Sequence, residues 1–166
     1  IRGTPCGVPS CAWCAENHSP PKSLRRWFGF DGFRGPPCGE RGLPMQEEVV
    51  RLGLAGTPTL AILPTSFGKS LCYQLPAIAR YARNGSLTVV VSPLQALMKD
   101  QVDTLERRVT GRYAAAIHGM LTPPERGDVL ELVRTGELAM VYVAPEQLLN
   151  RSFASAIRQR EIGACV

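Results

Sequence analysis

The chain has 166 residues, of which 45% are hydrophobic and 20% charged, proportions of a folded globular protein rather than a disordered or fibrous one. No run approaches the 18 apolar residues a spanning helix needs, and the first residues lack the basic start and apolar stretch of a secretory signal, so the expectation is a soluble, cytoplasmic protein. Nineteen Lys and Arg against fourteen Asp and Glu leave a net charge of +5, a balance that favours polyanionic partners. The chain opens on Ile1 rather than Met and closes on the apolar run Ile162 to Val166, which reads as a piece of a longer protein.

Residues 1–45 hold half of the 14 prolines, 7 of the 16 glycines and four of the six cysteines, the profile of an irregular segment. From Met45 onward the pattern is regular. Gln46 to Leu54 reads as a helix, and Leu60 to Leu63, between Pro58 and Pro64, as a buried strand. A helix is expected from Lys69 to about Arg83, then the strand Leu87 to Val91, apolar on both faces as in a covered parallel sheet. Leu94 to Arg107 suits a helix and Tyr113 to Ile117 a strand. Thr122 and Glu125 form a capping box around Pro123, opening a helix that runs to Arg134 and ends at Gly136. Ala139 to Val143 is a further buried strand, Ser152 to Arg160 a helix, and the terminal run a fifth strand. Strands alternating with helices define an α/β class with a parallel sheet.

Pro64-Thr65-Ser66-Phe67-Gly68-Lys69-Ser70 stands between a predicted strand and a predicted helix, the setting of a phosphate-binding loop. There, backbone N–H groups and a helix N-terminus meet phosphate oxygens, Lys69 reaches the outer phosphates and the Ser70 hydroxyl ligates Mg²⁺. The usual first glycine of the short pattern is replaced by Leu63; taken alone, the segment also fits a plain turn with a solvent-facing lysine.

Read together, Leu63 to Pro76 (LPTSFGKSLCYQLP), Val89 to Val102 (VVVSPLQALMKDQV) and Val141 to Leu148 (VYVAPEQL) closely resemble motifs I, Ia and Ib of the RecQ family of DNA helicases, within superfamily 2. Phe28 to Arg34 resembles the start of that family's motif 0, whose glutamine recognises adenine. The resemblance covers residues 28–166 as part of a RecA-like ATP-binding domain, with 1–27 a separate Cys-rich segment. It implies ATP and Mg²⁺ as cofactors, DNA as partner, 3′ to 5′ unwinding, and roles in DNA repair and recombination. Lys69 and Ser70 become the catalytic phosphate and Mg²⁺ contacts, with Pro64, Thr65, Ser66, Phe67 and Gly68 shaping the loop. Phe30 packs on adenine, with Arg34 and Gln46 contacting it; an amide matches adenine N6 and N7. Ser92, Pro93, Lys99 and Gln101 become DNA contacts, which position the strand without reading its sequence; on residues alone, Lys99 is also an ordinary solvated helix lysine.

The sequence departs from the family where Ser66 and Phe67 occupy usual glycine positions, and where eleven residues, Gly35 to Met45, separate Arg34 from Gln46 in place of about two. The chain also stops before the family's acidic motif II. Two other readings fit: a superfamily 2 translocase that does not separate strands, and a non-catalytic nucleic-acid-binding module. Cys6, Cys11 and Cys14, with His18 or Cys38 as a fourth donor, match the ligand chemistry of Zn²⁺; an iron–sulfur cluster and unligated thiols are the alternatives. Cys72 and Cys165 sit in apolar surroundings and read as core. The oligomeric state is not legible.

Overall fold

The computed structural model describes residues 5–36 and 38–166. The chain divides into two compact units, Ile1–Asn84 and Gly85–Val166.

In the first unit, four helices are present among the described residues: α1 (Ala12–Asn17), α2 (Pro20–Phe28), α3 (Met45–Ala55) and α4 (Lys69–Asn84). The expectation of an irregular segment up to residue 45 is corrected by α1 and α2. Pro20 and Pro21 do not break structure here but open α2 at its first two positions, where a missing N–H costs nothing, and Gly29 closes it in the left-handed conformation. Leu24 and Phe28, one turn apart, bury its inner edge. On α3 the same four-residue spacing buries Gln46, Val50 and Leu54. α3 and α4 approach closely at Gly53: a Cβ there would stand 2.8 Å from the Pro76 ring, so a larger residue would push the two helices apart. The Arg80 guanidinium donates to the Gly53 carbonyl at 2.7 Å, satisfying a buried cation at the same crossing.

Leu60 to Leu63 forms no strand, a correction of the sequence reading. Pro58 and Pro64 remove two backbone donors at its ends. Leu60 and Ile62 are 90% and 84% exposed, and only Leu63 is buried.

The second unit holds a parallel four-stranded sheet, β1 (Leu87–Val91), β2 (Ala114–Ile117), β3 (Met140–Val143) and β4 (Ile162–Cys165), in the order β2-β3-β1-β4. Val89 faces Val141 across β1 and β3, and Ala115 faces the same Val141 from β2. The helices are α5 (Gln95–Arg108), α6 (Pro123–Thr135) and α7 (Arg151–Ile157), with a 3₁₀ turn over Pro145–Leu149. The expected capping box opens α6: the Thr122 N–H donates to Glu125 at 2.8 Å, and the Glu125 N–H donates back to the Thr122 hydroxyl. One core of Leu87, Val89, Ile117, Val133, Val141, Val143 and Phe153 joins sheet to helices. Arg160 ties the edges of this unit together, donating to the carbonyls of Val133 at 2.7 Å and Gly85 at 2.6 Å. The architecture is a mixed α/β parallel-sheet fold, consistent with part of a RecA-like domain. No helix among the described residues is long and apolar enough to cross a membrane.

Candidate nucleotide site

The loop 64–70 runs directly into the N-terminus of α4, so Lys69 and Ser70 occupy its first turn. The N–H groups of that turn and the helix dipole present positive charge to an anion. Lys69 is exposed and Ser70 partly exposed. A turn closed by Phe67 N–H to the Pro64 carbonyl at 3.4 Å shapes the loop, and Gly68 takes the left-handed conformation at φ 72°.

Ser66 stands at φ 63°, the one non-glycine residue with positive φ among the described residues. Where the family carries a glycine, this chain therefore keeps the left-handed backbone and absorbs its cost, on the order of 1–2 kcal/mol. The neighbour that holds it is Arg34, whose guanidinium donates to the Ser66 carbonyl.

Gln46 supplies the second brace. It is only 2% exposed, and its amide nitrogen donates to the carbonyls of Phe67 at 3.2 Å and Gly68 at 3.1 Å. Its amide oxygen accepts from the Arg34 N–H at 3.1 Å. A Cβ on Gly68 would come 2.9 Å from the Gln46 nitrogen, so the contact is open only to glycine. The eleven residues between Arg34 and Gln46 do not separate the pair. Within that stretch Cys38 bridges Pro44 and the Gly39 N–H donates to the Leu43 carbonyl at 2.9 Å, pinching off a turn. Phe30 stacks on the buried Phe28, ring centroids 6.3 Å apart, and keeps 41% of its surface open. Arg34, Gln46 and the loop thus form one contiguous group.

The other expected site residues belong to the second unit. Ser92 and Pro93 follow the carboxyl end of β1, and the Ser92 hydroxyl accepts from the Leu94 N–H at 3.4 Å. Lys99 is exposed on α5 and paired with Asp103 at 3.2 Å; Gln101 lies half-buried on the same helix. Exposed Leu94, Met120 and Leu149 also follow the carboxyl ends of β1, β2 and β3, the side of an open parallel sheet where ligands bind. Arg126 on α6, which no sequence motif singles out, donates to the Gln147 amide oxygen at 2.6 Å and holds the 3₁₀ turn that carries the third motif.

Of the thiols, Cys6, Cys11 and Cys14 come together while His18 and Cys38 do not join them. His18 is buried at the end of α1, its Nδ1 2.9 Å from Arg83 of α4, and burial followed by the nearby guanidinium holds its pKa below the ordinary imidazole range. Cys38 is exposed. Cys72 is buried, and its thiol is pushed up to about 11 by burial, so it stays protonated as an inert core residue. Cys165, expected in the core, is exposed at the end of β4, an edge strand with one neighbour.

Comparison with known proteins bears on the whole arrangement. The pattern of the DEAD/DEAH box helicase family matches residues 43–163, well over half of the chain. The ATP-dependent DNA helicase RecQ of Synechocystis sp. is 40% identical over 148 residues, covering 89% of this chain and 28% of that protein. The ATP-dependent DNA helicase Q4 of Mus musculus is 44% identical over 123 residues, 74% of this chain and 9% of its own length. The RecQ helicase of Haemophilus influenzae is 36% identical over 139 residues, 84% of this chain and 20% of its own. The chain therefore spans less than a third of each of these relatives.

Proposed function

Because the chain belongs to the DEAD/DEAH box helicase family, with relatives of RecQ type, we propose that it forms the ATP-binding and DNA-contacting part of a motor that hydrolyses ATP to separate DNA strands, moving 3′ to 5′. The observation that carries this reading is the phosphate loop at the head of α4, braced from one side by Arg34 and Gln46. Its donors fit a magnesium nucleotide: an ammonium on Lys69 for the outer phosphates, a hard hydroxyl oxygen on Ser70 for Mg²⁺, and backbone N–H groups between them. A Mg²⁺ held by Ser70 would supply neutralisation of phosphate charge, while Lys69 and the loop N–H groups orient the phosphates.

Adenine recognition follows from the same group. The open face of Phe30 offers a stacking surface, and the Gln46 amide carries the donor and acceptor that adenine's edge matches. In the structure that amide is spent on loop carbonyls, so adenine binding exchanges one set of hydrogen bonds for another and is felt directly at Phe67 and Gly68. Ser92, Pro93, Lys99 and Gln101 contact the DNA backbone. Residues 28–166 act as the motor part, and 1–27 as an appended segment.

The test is strand displacement by the full-length protein on duplexes carrying either a 3′ or a 5′ single-stranded tail. With ATP, the 3′-tailed duplex is expected to open and the 5′-tailed one to stay paired. Hydrolysis stimulated by DNA without displacement of either would identify a translocase instead. Displacement of the 5′-tailed duplex alone would overturn the polarity.

A further inference from the structure

Three thiols meet at the head of α1. Cys11 is its N-cap and Cys14 lies in its first turn, and a separation of three residues puts both side chains on one side of the helix. The preceding loop folds back over them, with the Cys11 N–H donating to the Val8 carbonyl at 3.2 Å, and brings Cys6 to the same point. The Sγ atoms of Cys6, Cys11 and Cys14 lie within 4.8 Å of one another, and those of Cys6 and Cys14 are 3.4 Å apart. That is far beyond a disulfide bond of about 2.05 Å. It is close to the separation of roughly 3.8 Å that two sulfurs adopt when each sits about 2.3 Å from one tetrahedral zinc. The Cys6 N–H also donates to the Cys14 sulfur at 3.3 Å, the kind of backbone partner that supports a thiolate bound to metal.

A second, independent observation is that α1 has little packing of its own. It is six residues long and buries none of them, too short to persist on its own and without an apolar stripe to dock. Its far end is fixed: Arg83 of α4 donates to the Asn17 carbonyl at 3.0 Å and lies 2.9 Å from His18 Nδ1, while Trp13, in the first turn, makes a single edge-on contact with the His18 ring. Small segments without a core are held by metal or disulfide staples.

We propose that Cys6, Cys11 and Cys14 bind one Zn²⁺, which fixes the N-terminal end of α1 while Arg83 fixes its C-terminal end to α4. Zinc accepts soft thiolates at tetrahedral angles without a redox step. The fourth donor is neither His18 nor Cys38, whose ligand atoms do not join the three thiols. This assignment stands on the thiols alone and does not depend on the helicase reading.

The experiment is elemental analysis of the full-length protein purified without chelator, compared with Cys11→Ser/Cys14→Ser, His18→Gln and Cys38→Ser variants, together with the spectrum after Co²⁺ exchange. Any further zinc site elsewhere in the full protein remains in the double variant, so the double variant is expected to hold one zinc fewer per chain. His18→Gln and Cys38→Ser are expected to keep the wild-type content, and the Co²⁺ form to show thiolate-to-metal charge transfer that weakens in the double variant. If the double variant misfolds, chelation of the wild type gives the same answer: proteolysis within residues 5–17 should rise while ATP affinity stays unchanged. Equal zinc in wild type and double variant would overturn the site, as would a Cys6–Cys14 disulfide found by mapping. Iron with inorganic sulfide in place of zinc would overturn the choice of cation. Loss of zinc in His18→Gln or Cys38→Ser would overturn the ligand set.

Discussion

Lys69→Ala in the full-length protein is expected to lower ATP turnover by on the order of 10²–10³-fold, the loss that follows removal of one preorganised partner of transition-state charge. Lys69 is exposed in the first turn of α4 and belongs to no part of the core, so its truncation leaves the helix and its packing in place. Far-UV circular dichroism and the denaturation midpoint should therefore match wild type. The measurement is phosphate release at saturating single-stranded DNA. Turnover within a few-fold of wild type would remove the loop from the catalytic centre, whatever else binds there.

Gln46→Ala should weaken ATP binding by about 5- to 150-fold, the range given by 1–3 kcal/mol for groups left without their hydrogen-bond partners. The structure changes what sequence alone would lead one to expect of this variant. An adenine-reading glutamine should affect base selectivity and leave phosphate affinity alone. Here the same amide holds the carbonyls of Phe67 and Gly68 and accepts from Arg34, so its loss loosens the loop as well. The variant is expected to bind ATP, GTP and tripolyphosphate more weakly, and to lose part of its preference for ATP over GTP. Binding titrations with the three ligands separate the two effects. Unchanged tripolyphosphate affinity would show that the brace on the loop is dispensable, and an unchanged ATP preference that adenine is read elsewhere.

Most of the second unit was legible because its elements are bounded by strong local signals. The β-branched run of β1, the capping box at Thr122 and the left-handed Gly136 at the end of α6 each fix an end chemically, and the structure agrees to within a residue or two. The misses share a cause. Composition from residue 1 to 45 is that of an irregular segment, but position decides what proline and glycine do: Pro20 and Pro21 start a helix and Gly29 ends one. Leu60 to Leu63 has the apolar character of a strand, but pairing needs a partner edge, and no window of sequence reveals whether one is supplied.

The candidate site was legible as residue types and not as a geometry. Motif I named Lys69, Ser70 and Gly68, and the replacement of a glycine by Ser66 flagged a backbone problem. That Ser66 keeps the left-handed conformation, with Arg34 on its carbonyl, follows from contacts 32 residues apart. Equally, the sequence sets eleven residues between Arg34 and Gln46, and only the fold, with Cys38 bridged to Pro44, shows the two side by side. The three clustered thiols are apparent from spacing, whereas the choice between His18 and Cys38 as a fourth donor is not, and in the fold neither joins the cluster.

The most direct test of the central claim, that one contiguous group around the head of α4 binds ATP, is photo-crosslinking of the full-length protein with 8-azido-ATP followed by peptide mapping. Label is predicted on the peptides carrying Phe30 to Arg34 and Gln46, competed away by excess ATP and greatly reduced in Lys69→Ala. Competable label confined to peptides outside residues 28–70 would contradict it.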